Sequence, residues 1–208
     1  MIIEVCAESY EYAVKAEKAG ADRIELCKDL HLDGLTPDYE SVKRTIDTLN
    51  IPVFILIRPR EGNFIYSNKE FELMKSDIVK FKEIGSKGIV SGVLNDDKTI
   101  DTERTKELVE LSRPMEFTFH RAFDVVTDPL NEIENLINMG VDRLLTSGQK
   151  DKAIEGLDLI KKLNNISNNR IVIMPGSGIS GSNIVNFKKF NEIHGSFKNE
   201  NNLNFKDV

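Results

Sequence analysis

Eight short β-branched or apolar runs recur along the chain, at residues 2–6, 23–27, 52–58, 88–92, 116–120, 143–148, 170–176 and 192–196. Between them lie amphipathic segments such as "SYEYAVKAEKAG", "PDYESVKRTIDTLN" and "DPLNEIENLINMG", with apolar residues every three or four positions. Ser or Asp openings, Pro37 and Pro129 near first turns, and Gly20, Gly85 and Gly140 near helix ends agree with that alternation. Alternating β and α units imply parallel strands joined by crossovers, and eight such strands close most economically on themselves. The expected fold is therefore α/β, a TIM-like (β/α)8 barrel. A doubly wound open sheet is the competing arrangement, but no GxGxxG follows the first run, and no nucleotide cofactor is expected. One domain over 1–208 is expected, ending in a polar stretch, 197–208, too short and polar for a normal eighth helix. The last helix should be reduced or missing.

Several function classes are disfavoured by charge and composition. A net charge of -6 speaks against nucleic acid or an anionic membrane as partner, because either needs a concentrated basic surface. No apolar run approaches the roughly 18 residues of a membrane span, and "MIIEVCAESY" carries an acid where a signal peptide would carry basic residues. Cys6 and Cys27 form no CxxC and read as reduced thiols. A cytoplasmic location is the expectation.

Side chains alternate across a strand, so strand parity separates an outer from an inner face. Ile3, Val5, Ile24, Leu26, Val53, Ile55, Ile57, Phe117 and Phe119 should face the helices. Glu4, Cys6, Glu25, Cys27, Glu116, Thr118 and His120 should then face the lumen, with Arg58 pointing inward at the end of its run. Buried charges cost several kcal/mol each unless paired. One account is a salt-bridge network, with Arg58 bonded to Glu4 or Glu25. The other is a polar pocket at the strands' C-terminal ends, where barrels place their sites, with His120, Arg121 and Asp124 at its mouth.

The segments "EVC…AGADRIELC", "DGLTP", "IRPREGNFIYS", "VSGVL", "TFHRAFD", "VDRLLTSGQ" and "MPGSGIS" stand in an order and spacing that resemble the CutC copper homeostasis family, over nearly the whole chain to about residue 196. The resemblance implies a TIM-like barrel, a cytoplasmic protein, and copper binding and handling. Members of that family usually run further past the eighth strand than this chain does. Thiolates are soft donors that select Cu(I), and Cys6 and Cys27 end neighbouring strands, so they are the candidate copper ligands, with His120 or Met174 as an additional donor. Buried cysteines also often simply pack.

The alternative is an enzyme of lyase, isomerase or hydrolase type acting on a small phosphorylated or anionic metabolite; whether any reaction occurs stays open. In that reading Gly176, Ser177 and Gly178, followed by a helix N-terminus at about Ser180, hold an anion, with Gly195, Ser196, Thr146, Ser147 and Gly148 nearby. Arg58, Arg60 and Arg121 clamp its oxygens, and Glu25, Glu116, His120 and Asp124 are the acid/base candidates. A glycine-rich turn is equally what any tight loop uses. Tyr66 is read either as a lid or as a cap of the third helix, His194 more as a structural histidine than a ligand, and His31 as a solvated loop residue. A homo-oligomer, dimer or tetramer, is expected to cover barrel surface left bare by the short tail.

Overall fold

The computed structural model describes residues 1–197, and the expected reduction of the last helix falls outside the described residues. Eight strands are present: β1 (Ile2–Ala7), β2 (Arg23–Leu26), β3 (Val53–Leu56), β4 (Gly88–Ser91), β5 (Glu116–Phe119), β6 (Arg143–Thr146), β7 (Val172–Pro175) and β8 (Glu192–Gly195). Between them run α1 (Tyr10–Lys18), α2 (Tyr39–Thr48), α3 (Asn68–Glu83), α4 (Thr102–Ser112), α5 (Pro129–Asn138) and α6 (Leu157–Ser167). Parallel ladders run from β7 through β6, β5, β4, β3, β2 and β1 to β8. β7 and β8 lie side by side without a ladder between them, so the barrel is nearly closed.

Local chemistry explains where the helices begin. Ser9, Asp38, Asp101 and Asp128 each accept a backbone N–H of the first turn, and Pro129 fills the first helical position of α5. α3 opens with a reciprocal pair, Ser67 receiving the N–H of Glu70 while Glu70 receives that of Ser67. Tyr66 therefore does not cap α3: it is buried just before the cap, with the Arg60 guanidinium 5.2 Å above its ring and its hydroxyl against Arg58. His31 is exposed in a short 3-10 turn, Leu30–Leu32.

The expected split of strand faces holds. Ile3, Val5, Ile24, Leu26, Val53, Ile55, Phe117 and Phe119 pack outward in the core between sheet and helices. The lumen floor is ionic. Arg23 donates to Glu4 at 2.5 Å and also to Glu192; Arg143 donates to Glu192 at 2.6 Å, to Glu116 at 2.8 Å and to Thr118 at 3.3 Å. Both guanidinium groups stack on Phe54, at 4.7 and 5.2 Å. Phe54 fits because β4 offers Gly88 opposite it, where a Cβ would sit 2.5 Å from the ring.

Two features depart from the sequence reading. Between β7 and β8 stands only a 3-10 turn, Ile184–Phe187, so no α-helix starts near Ser180. The ionic network is built on Arg23 and Arg143 rather than Arg58, because those arginines open their strands at the same height as Glu4 and Glu192.

Candidate functional site

Above the floor, at the C-terminal ends of the strands, opens a cavity of about 390 Å³. Its polar wall includes Cys6, Glu25, Arg58, His120, Arg121, Asp124 and His194; its apolar wall is Leu30, Leu56, Phe64, Val125 and Leu145.

The thiols stand at the mouth because β1 and β2 pair in parallel, with Cys6 opposite Glu25 and Cys27 bonded through its N–H to Ala7. Cys6 Sγ lies 3.5 Å from Cys27 Sγ and 3.7 Å from Glu25 Oε1. Both cysteines are free and buried; Cys6 lines the cavity, whereas Cys27 borders a second one between the starts of α1 and α2. The Cys6 thiol is pushed well up, first by its hydrogen bond with Cys27, then by burial and by Glu25. Next to it, Cys6 Sγ, a Glu25 oxygen and a His194 nitrogen all fall within 4.8 Å of one another. His194 Nδ1 is bonded to Glu4 Oε1 at 2.8 Å and lies 4.0 Å from Glu25 Oε2.

The two carboxylates of this cluster diverge. Burial raises Glu25 to about 7, with Glu4 adding to it, and its Oε2 has no hydrogen-bond partner. Glu4 is equally buried, but Arg23 and His194 outweigh the desolvation and hold it at about 2. His194 is raised: burial opposes its charge, and Glu25 and Glu4 overcome that opposition.

His120 lines the same cavity but is not part of that cluster. Its Nδ1 accepts the N–H of Ala122 at 3.3 Å, and burial, with Arg58 nearby, lowers it to about 3. The imidazole is neutral and carries its proton on Nε2. Met174, the other additional donor considered, has its sulfur turned to Arg23 at 3.4 Å. His194 thus takes the place next to the thiols that the sequence reading gave to His120 or Met174.

The remaining candidates divide by position. Arg121, Ser177, Gly178, Gly195 and Ser196 line the cavity. Glu116 has the inward parity expected but sits at the N-terminal end of β5, half-exposed and bonded to Arg143 at the far end of the barrel. Arg60 bonds Glu70 at 2.7 Å and the carbonyls of Glu61, Asn63 and Ile65, ordering its own loop. The turn Thr146–Gly148 is already occupied by Asp124, which accepts from Thr146 Oγ1 at 2.5 Å, Ser147 Oγ at 2.8 Å, Ser147 N at 3.0 Å and Gln149 N at 3.2 Å. Gly176 serves close packing, since a Cβ there would meet Leu145 at 2.4 Å.

Residues 1–199 match the CutC family. The chain belongs to that family. Among its relatives, the human "Copper homeostasis protein cutC homolog" is 48% identical over 183 residues, 88% of this chain and 67% of that protein. A CutC family protein of Pasteurella multocida (strain Pm70) is 45% identical over 183 residues, 88% of this chain and 75% of the relative. The crystal structure of a CutC protein from Streptococcus agalactiae superimposes with a TM-score of 0.89 at 34% identity, covering 94% of this chain and 98% of that one. An aldolase at 15% identity shares the barrel alone, with a TM-score of 0.69. No described helix is long and apolar enough to cross a membrane.

Proposed function

We propose that this family member takes part in copper homeostasis by binding Cu(I) through Cys6 and Cys27 in the cytoplasm. The observation that carries the reading is the 3.5 Å approach of the two sulfurs at the mouth of the barrel. The donor set fits the ion: two thiols select a soft monovalent cation over hard divalent ones, and the orphaned Glu25 Oε2 leaves a polar atom without a partner beside them. His194, oriented by its bond to Glu4, becomes an additional donor once it gives up the proton that Glu25 and Glu4 favour on it. A dithiol site works only where thiols stay reduced, which supports the cytoplasmic assignment. The name of the human relative, a copper homeostasis protein, points the same way.

Loading the site means releasing the Cys6 proton, so the chain's own residues must hold a negative centre that its surroundings disfavour in the empty state. The cation would offset that cost. The test is competition for Cu(I) against a calibrated chelator under anaerobic, reducing conditions. The Cys6→Ser/Cys27→Ser protein should lose high-affinity binding while keeping its melting temperature within a few degrees. Undiminished affinity in that variant removes the pair from the site.

A further inference from the structure

The cavity offers far more room than a metal ion occupies, and its volume of about 390 Å³ falls in the range of roughly 300–1,000 Å³ that small organic ligands use. On the wall formed by the segment after β3 and the end of β5, two buried donors have no acceptor. Arg58 is only 4% exposed; Nη1 donates to the carbonyls of Leu32 at 2.7 Å and Gly34 at 3.0 Å and Nη2 to that of Gly62 at 3.1 Å, while the Tyr66 hydroxyl lies against the guanidinium and Nε meets no acceptor in hydrogen-bond geometry. Among the described residues no carboxylate lies within ion-pair distance of Arg58, whereas the other deep arginines, Arg23 and Arg143, are each paired with glutamates. His120, 5% exposed, presents an Nε2–H that is likewise without a partner. The ring of Phe64 touches both, its centroid 4.8 Å from the imidazole and 5.1 Å from the guanidinium carbon.

We propose that Arg58 and His120 form the binding site for the carboxylate of a small organic acid, whose carbon skeleton occupies the apolar side of the same cavity. An uncompensated buried cation costs several kcal/mol, and carbonyl dipoles offset only part of that. A planar carboxylate supplies both the missing charge and acceptors for two separate N–H groups. Leu56, Leu145 and Val125 provide the surface for a short skeleton. Phosphate fits less well, because the Thr146–Gly148 turn is filled by Asp124 and no α-helix follows Gly178. The unpartnered atoms are closed to bulk water, and the half-buried Phe64, which touches both groups, is the residue a ligand would have to displace to reach them. The site does not use the thiols and stands or falls independently of copper.

The experiment is calorimetric titration, with thermal shift in parallel, of the full chain with acetate, lactate, malonate and succinate, and with inorganic phosphate as comparison. It is run with a metal chelator present, on the wild type and on Cys6→Ser/Cys27→Ser. At least one carboxylate should saturate both proteins equally. Arg58→Lys, which keeps the charge but loses the Nε–H, and His120→Phe, which keeps ring bulk but loses the donor, should each weaken it about tenfold or more, the effect of one charge-assisted hydrogen bond. Should Arg58→Lys not fold, His120→Phe and the shift of the His120 Nε2 resonance on titrating the wild type carry the test. The proposal is overturned if no carboxylate saturates the wild type, if phosphate alone does, or if affinity is unchanged in the variants.

Discussion

Glu4 and Glu25 occupy neighbouring strands, one on the floor side and one on the mouth side of the same histidine, and their environments drive them in opposite directions. Burial holds Glu25 at about 7 against an ordinary 4.5. Such a group favours folding fully below its unfolded value, and that contribution is lost as pH rises through the folded value. At about 1.4 kcal/mol per unit, ionised Glu25 costs about 3 kcal/mol above neutrality. Glu25→Gln should therefore raise the melting temperature at pH 8 and leave it nearly unchanged at pH 4.5, the gain trimmed because His194 loses the charge that raises it. Equal shifts at both pH values, read by calorimetry, would show that burial of the charge is not the cause. At this scale, parity along a strand made Glu4, Cys6, Glu25 and His120 legible as inward side chains. Parity does not report height, which is why Glu116 reads as a site residue yet lies at the opposite end. Arg23 and Glu192 carry the same signal, two residues before Glu25 and His194, and alternation extended by one step finds them.

The segment "HRAFD" shows how an element can be recognised while its purpose is inverted. After β5 it forms a 3-10 turn, Arg121–Val125, that carries Asp124 into the loop after β6. Thr146, Ser147 and Gln149 donate to it as they would to a phosphate, and Arg121 adds an ion pair at 2.8 Å. Gly148 completes the turn, with φ at 70° and a Cβ position 2.3 Å from the carbonyl oxygen of Gly156. A sequence reveals that a loop can bind an anion, but not that the anion is supplied by the chain itself 22 residues earlier. Removing one partner of a buried charged network costs about 3–5 kcal/mol. Asp124→Ala should lose stability of that order in urea denaturation, and added inorganic phosphate should restore part of it by refilling the vacated donors. If phosphate stabilises variant and wild type alike, the carboxylate does not occupy an anion-binding turn.

For the whole molecule, eight strands in order and a lumen opening at their C-terminal ends follow from periodicity alone, because each β–α repeat leaves a neighbouring unit one place to pack. The seam between β7 and β8 was not legible in this way. The segment between them carries Phe187 and Phe190 into the core but forms only one 3-10 turn, so a crossover that elsewhere is an α-helix is here a short strap, and Val185 stays 62% exposed. β8 is hydrogen-bonded to β1 alone and β7 to β6 alone, whereas β2, β3, β4 and β5 are bonded on both sides. Local opening draws on the parts with the fewest bonds to break. Amide exchange in native buffer should therefore be faster in β7 and β8 than in β2–β5, with the 184–187 turn faster still. Each proton lost from β8 should also lie on a path that loosens Glu192 and His194, and hence both the ionic floor and the histidine beside the thiols. Uniform protection around the barrel would mean that packing between β7 and β8 holds the seam as firmly as a ladder.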